Sequence, residues 1–320
     1  MALGEFELIR RFFTDQPVKH PSTMLGVGDD CALLHVDGSQ ALAITTDTMV
    51  EGIHFLPDVD PEALGHKVLA VNLSDLAAMG AEPRWVTLAL TLPHCDTTWL
   101  QNFAKGFFAL AKRYGVELIG GDTTRGPLTI TVQALGLTPR NGALWRSGAC
   151  PGDLIYLTGE LGAAGLGLKI RQGRTAIEDR TAIAHLERPE PRVDVGMKLR
   201  GLASSCIDVS DGLAADLGHI LEASGVGAAL DWERLPLPNR VRRYARETGD
   251  WRMPLSAGDD YELCFTVPPA NRDQLERSLA TSGVAVALIG RIEPHTGLRL
   301  FKDGQSIDLS QDGYQHFSRD

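Results

Sequence analysis

Residues 68–81 read VLAVNLSDLAAMGA, and the fold turns on how this stretch is read. Its apolar and small residues fall on every side of a 3.6-residue period, which describes a helix buried nearly all round rather than one lying on a surface. Upstream, Asp60-Pro61-Glu62 offers an N-cap, a proline at the first helical position and an acid in the first turn. Gly80 and Pro83 offer the stop, so a helix is expected from about residue 60 to Met79. The flanks carry the other period: ALAITT (Ala41–Thr46) before it and WVTLALTL (Trp85–Leu92) after it read as strands.

The same alternation continues outward. Trp99–Tyr114 has helical spacing and ends at Gly115, Val116–Gly120 reads as a strand, and Leu128–Leu137 as another. SGACPGD (Ser147–Asp153) is rich in Gly, Pro and small residues, and places a boundary between domains 1–148 and 149–320. In the second domain strands are expected at Leu154–Thr158, Ser205–Val209, Gly227–Trp232, Tyr261–Val267 and Val284–Ile292, with helices near 161–172, 191–203, 211–224 and 270–281. LRLFKDGQSIDL reads as a late hairpin turning at Asp303-Gly304. The fold class is α/β, and 320 residues suffice for two cores.

Composition narrows the function. A net charge of -10 argues against nucleic acid or an anionic membrane as the main partner, since phosphate backbones are held by clustered Lys and Arg. Cys31, Cys95, Cys150, Cys206 and Cys264 are scattered and form no C-x-x-C pair, so neither a zinc site nor a disulfide framework is indicated. MALGEFELIRRFF lacks the apolar centre of a signal peptide, and no stretch approaches a membrane span. A cytoplasmic protein is expected.

Asp75 is the anomaly in the buried helix, where Leu64, Val68, Val71, Asp75 and Ala78 share a stripe. A buried carboxylate has to be protonated, paired with a base or bound to a cation. A salt bridge to a distant Arg would satisfy it, and so would a metal. Four further segments put acids where a strand is expected to end: Gly28-Asp29-Asp30, Thr45-Thr46-Asp47, Gly120-Gly121-Asp122 and Asp208-Val209-Ser210-Asp211-Gly212. Taken singly, Asp211 could be a helix cap and Asp30 or Asp47 a turn residue. Together, with no Cys or His cluster beside them, they make a hard oxygen donor set of the kind that selects Mg²⁺, Ca²⁺ or Mn²⁺. Close like charges cost about 4 kcal/mol per pair at an effective dielectric near 20, so such a cluster implies cations. No Gly-Lys dipeptide occurs, which excludes a P-loop, and the HRD and DFG signatures of protein kinases are missing. Gly159, Gly162, Gly165 and Gly167 do not form a dinucleotide fingerprint and read as helix-packing glycines.

GVGDDCALL, TTDTMVEGIHF, VNLSDLAAMGAEP, LIGGDTTRG, DVSDGLAADLGHIL and DDYELCFTV, in this order, resemble the blocks of the thiamine-monophosphate kinase family, relatives of aminoimidazole ribonucleotide synthetase and selenophosphate synthetase. The likeness runs from GEFELI to GYQHF. It implies a two-domain PurM-like fold, α/β in the broad sense that includes α+β, with an N-terminal domain that forms a barrel across a homodimer. It implies magnesium-dependent transfer of a phosphoryl group from ATP to thiamine monophosphate, in line and without a phosphoenzyme. The implied metal ligands are Asp30, Asp47, Asp75, Asp122, Asp208 and Asp211, with oxygens from Thr45 and Thr46. Gly121, Asp122, Arg146 and Ser210 match nucleotide-contacting positions, and Asp30, Asp75, Asp122, Arg146 and Asp211 carry the catalytic part. Arg146 makes independent sense, since a guanidinium can steady charge on a moving phosphoryl group.

His54, Asp259 and Tyr314 match acceptor-contacting positions, although each has an ordinary reading as a turn histidine, a solvated loop acid and a tail anchor. The chain departs from the family where Ala257-Gly258-Asp259-Asp260 stands for Gly-Gly-Glu-Asp, so the acid at the acceptor is one methylene shorter. Rival readings are other ATP users of the superfamily and a non-catalytic nucleotide or cation sensor. A selenophosphate synthetase would be expected to carry a reactive Cys or selenocysteine in an N-terminal glycine-rich segment, which this start lacks, and the hydrogenase-maturation relative ends in a functional Cys where this sequence has Ser318-Arg319-Asp320.

Overall fold

The computed structural model describes residues 10–14, 16–25 and 33–309. These form two compact units, one of the described residues through Leu76 with Ala81–Asn141, the other of Ala77–Gly80 and the chain from Gly142 onward.

In the first unit, β1 (Thr23–Leu25) and β2 (Leu33–Leu34) make a small ladder beside a four-stranded sheet. That sheet is built from β3 (Gln40–Val50), β4 (Glu82–Leu92), β5 (Glu117–Arg125) and β6 (Thr129–Pro139), in the order β3-β6-β4-β5. Only the β4–β5 pair is parallel, so the strand-helix alternation of the sequence does not become a parallel sheet. Pro83 lies within β4 rather than in the loop before it, and a register shift between Pro83 and Trp85 accommodates it.

The decisive stretch forms α1 (Pro61–Ala78), begun by the Asp60 carboxylate, which accepts from the Glu62 N–H at 3.1 Å. The second helix, α2 (Thr97–Tyr114), starts on the side chain of Asp96 and stops at left-handed Gly115. The two helices meet backbone to backbone: a Cβ on Gly65 would lie 2.1 Å from the Phe103 carbonyl oxygen, and one on Gly106 1.8 Å from that of Glu62. The edge strand β5 is covered by side chains of the N-terminal segment. Gln16 pairs with both main-chain groups of Leu118, and Glu117 accepts from the His20 N–H and the Thr23 hydroxyl.

The second unit holds a seven-stranded sheet, in chain order β7 (Leu154–Thr158), β8 (Ser205–Asp208), β9 (Gly227–Asp231), β10 (Leu263–Val267), β11 (Val286–Glu293), β12 (Gly297–Lys302) and β13 (Gln305–Asp308). Its spatial order is β13-β12-β9-β11-β7-β10-β8, antiparallel except for β12 with β9. The late hairpin turns at Asp303 and Gly304, both at positive φ, as its sequence predicts. The helices are α3 (Ala163–Arg171), α4 (Arg180–Glu187), α5 (Val193–Leu199), α6 (Leu213–Ser224), α7 (Asn239–Thr248), α8 (Met253–Ser256) and α9 (Arg272–Leu279). Three of them, α4, α7 and α8, go beyond the sequence pattern, because each is short and buries only a few residues. The glycines of α3 are packing glycines: a Cβ on Gly165 would meet that of Ala257 at 2.4 Å, and one on Gly167 the Ala182 carbonyl oxygen at 2.3 Å.

Candidate functional site

In the first unit the helix anomaly and the strand acid come together. Between Ala63 and Ala78, Asp75 is the one residue of α1 that is not buried. Its Oδ2 accepts a hydrogen bond from the Thr45 hydroxyl of β3. Asp47, two residues further along the same strand face, is raised to about 7, by burial first and then by the charge of Asp75 and a hydrogen bond to it. Asp47 lies inside an eleven-residue strand, not at its end as the sequence pattern placed it. Two adjacent carboxyls and a hydroxyl, all oxygen donors, fit a hard divalent cation, which would take the place of the proton that the pair retains. Among the described residues, no group of three or more His, Cys, Asp or Glu side chains is close enough to hold a metal ion.

Asp122 belongs to β5. It also lies within its strand, and the register pairs Leu88 with Gly121 and Ala89 with Asp122, while Asp47 pairs with Val132 and Val132 with Leu88. Strand side chains alternate between faces, so Thr45 and Asp47 share one face of β3 and Thr46 takes the other. The Thr46 hydroxyl accepts from Gln133 at 3.3 Å. Of the expected donors on β3 and α1, Thr45, Asp47 and Asp75 therefore come together on one face, and Thr46 lies on the other. Gly121 is needed for contact, since a Cβ there would sit 1.9 Å from the Leu88 carbonyl oxygen. His54 is half-buried in the turn after β3, where its Nδ1 accepts from the Val50 N–H at 3.0 Å, and a neutral ring then carries its proton on Nε2. Asp30 and Tyr314 lie outside the described residues.

The second unit carries the other candidates. β8 ends at buried Asp208, and Ser210 and Asp211, both half-buried, occupy the loop that leads into α6. That loop is held on two sides. The Ser210 carbonyl accepts from the Asp259 N–H at 2.8 Å, and Gly258 approaches so closely that a Cβ on it would lie 2.3 Å from the same oxygen. Asp259 and Tyr261 both have positive φ, a strained conformation for such residues, and the Tyr261 hydroxyl donates to Asp259 Oδ1 at 3.1 Å. Arg146 is exposed, next to Trp145, whose carbonyl accepts from the Cys206 N–H of edge strand β8.

Three acids outside the sequence-predicted set shape this half. Asp216, buried in α6, accepts from the main-chain N–H groups of Asp211 and Gly212 at 3.0 and 3.1 Å. Its carboxyl is pushed up to about 7 by burial and by the Asp211 charge, which outweigh those N–H bonds. Asp260 accepts from the N–H groups of Gly162 and Ala164 at the start of α3, and burial raises it to about 8. Glu262 is buried on Arg192 and the Thr158 hydroxyl. A signal for Asp216 was available, because it sits on the apolar stripe of Leu213, Leu217 and Ile220, the same anomaly that marked Asp75. Asp260 and Glu262 had none, since their partners are about a hundred residues or, for Arg192, 70 residues away in sequence.

Two family models match the chain, the N-terminal domain of AIR synthase related proteins over residues 28–138 and the C-terminal domain over residues 150–303. The thiamine-monophosphate kinase of Escherichia coli K12 is 49% identical over 323 aligned residues, covering 99% of each chain. The chain belongs to the thiamine-monophosphate kinase family. Another member, the thiamine-monophosphate kinase of Stenotrophomonas maltophilia K279a, has a crystal structure that superposes with a TM-score of 0.85 at 42% identity, covering 96% of this chain and 99% of its own. A second solved structure, "AaThiL complexed with AMPPCP and TMP", matches with a TM-score of 0.78 at 31% identity over 88% of this chain and 89% of its own. The two-domain fold of this kinase family is the one expected from the ordered motifs. Of the described residues, no helix is long and apolar enough to cross a membrane.

Proposed function

We propose that this chain transfers the γ-phosphoryl group of ATP to thiamine monophosphate, giving ADP and thiamine diphosphate by direct in-line displacement. The observation that carries this reading is full-length similarity to thiamine-monophosphate kinases, together with a related structure named for its complex with AMPPCP, an ATP analogue, and TMP.

The chemistry asks little covalent work of the protein. The attacking atom is an oxygen of the acceptor phosphate, already anionic near neutral pH, so no side chain has to remove a proton. Asp47, Asp75 and Thr45 in one unit, and Asp208 and Asp211 in the other, would hold magnesium, with Asp30, Thr46 and Asp122 completing the proposed set. Bound magnesium would neutralise charge on the nucleotide phosphates. Gly121, Asp122 and Ser210 are assigned to the nucleotide and Arg146 to the transferring group, where a planar fork of donors matches phosphoryl oxygens. His54, Asp259 and Tyr314 are assigned to the acceptor; Nε2 of His54 supplies an N–H donor, and Tyr261 steadies the shorter Asp259.

The wider reading places the chain in the cytoplasm as a homodimer, with residues 1–148 as the nucleotide, metal and dimerisation domain and 149–320 as the second domain. Leu42 and Ile44, exposed on the face of the first sheet turned away from Asp47, support an apolar partner there. Phosphorus NMR of the protein with ATP and Mg²⁺, run side by side with thiamine monophosphate and with thiamine, tests the function. A diphosphate product from the monophosphate alone is expected. Comparable product from thiamine, whose alcohol would need a base, would overturn the assigned nucleophile.

A further inference from the structure

We infer that Asp216 is a positioning residue for the loop of Asp208, Ser210 and Asp211. The inference rests on the proposed role of this loop in holding metal and nucleotide. Asp216 is 2% exposed, and one of its oxygens, Oδ2, accepts from two consecutive main-chain N–H groups, those of Asp211 and Gly212. Its own N–H returns to the Gly212 carbonyl at 3.0 Å, so the side chain and the first turn of α6 both hold Gly212. A Ser, Thr or Asn at the N-cap would start the helix with no charge beside Asp211. Here the cap is Gly212 at φ 110, with no capping side chain of its own. Nor can that position take one, because a Cβ would lie 2.8 Å from the Leu255 carbonyl oxygen.

The opposite side of the loop is clamped as well, with the Ser210 carbonyl held by Asp259. The main chain from Ser210 to Gly212 is thus fixed by an acceptor below and a donor above. A carboxylate is a costly cap so near another acid, and what it secures is the direction of the residue whose N–H it holds. Groups of this kind behind metal ligands change metal affinity by about 10–100-fold when removed.

The test compares wild type with Asp216→Ala, Asp216→Asn and Asp216→Glu, following Mn²⁺ binding in the presence of ADP by electron paramagnetic resonance, with circular dichroism to confirm folding. Asp216→Ala is expected to weaken Mn²⁺ binding about 10-fold or more, and Asp216→Asn, whose amide oxygen accepts the same two N–H groups, to stay within about threefold of wild type. Asp216→Glu, with its oxygen displaced by one methylene, is expected to bind Mn²⁺ measurably more weakly while folded, and it decides the matter if the alanine variant does not fold. Wild-type Mn²⁺ affinity in the folded Ala or Glu variant, or equal loss in Asn and Ala, would overturn the inference. Because no acceptor is present, the comparison stands even if wild type fails to phosphorylate thiamine monophosphate, an outcome that counts against the kinase reading alone.

Discussion

The Thr45 hydroxyl donates a hydrogen bond to Oδ2 of Asp75, joining the third strand to the first long helix across 30 residues of sequence. The bond falls at the one position between Ala63 and Ala78 where that helix is not buried. It orients Asp75 toward the strand face that also carries Asp47, and burial together with the charge of Asp75 then raises the demand of Asp47 for a proton or a cation.

Replacing Asp75 by Asn keeps the volume and the acceptor for Thr45 but removes one charge. Turnover should fall by about 100-fold or more, since the pair loses half of its hold on a cation. The ligand-free variant should melt about 2–4 °C higher, because the like-charge contact with Asp47 is gone. Normal turnover at modest Mg²⁺ would make Asp75 a structural residue.

Stability of the ligand-free protein should decline with rising pH. Asp47, Asp216 and Asp260 are raised from 3.8 to about 7, 7 and 8, so between those limits the folded chain keeps protons that the unfolded chain has released. Each pH step across that window therefore favours the unfolded state, and the loss ends above the folded values. Melting temperatures measured without nucleotide or metal should drop from pH about 6 to about 8.5, and Mg²⁺ should recover part of the loss at the upper end by replacing the Asp47 proton. A flat or rising profile would refute the assignment of these three groups.

A methyl group at position 121 has no room. Its Cβ would stand 1.9 Å from the Leu88 carbonyl oxygen, a main-chain atom that cannot swing away. Gly121→Ala should cost roughly 1–3 kcal/mol and displace Asp122 along with the strand. Thermal melting shows the first effect, and nucleotide affinity the second. A variant indistinguishable from wild type in both would mean that the fourth and fifth strands separate freely here.

Arg146→Lys should separate chemistry from binding. A point charge cannot reproduce a planar fork aimed at a transferring phosphoryl group, so kcat should fall about 100-fold while KM for ATP changes by less than about threefold. Steady-state kinetics at saturating acceptor measures both. Equal losses in kcat and affinity would assign Arg146 to ground-state binding.

Much of this was legible in local sequence. The buried helix follows from apolar residues on every face and from the Asp60-Pro61-Glu62 start, signals that act within a few residues and survive any tertiary context. The hairpin at Asp303-Gly304 follows from the same kind of short-range chemistry. An oxygen-only donor set is equally a property of composition and motif, and Asp75 is conspicuous because a carboxylate on an apolar stripe has to be satisfied by something.

The sorting of those donors was not legible. Thr45 and Thr46 look alike in sequence, yet one donates to Asp75 and the other accepts from Gln133 on the opposite face of the sheet. A strand has a period of two, and which face a donor takes depends on a register set by pairing with strands far along the chain. The same limit hid the loop clamp of the second unit, where Asp259 reaches Ser210 and Asp260 reaches Gly162. Capping and periodicity are decided by neighbours in sequence, whereas these contacts exist only once distant strands have brought separate loops to the same end of a sheet.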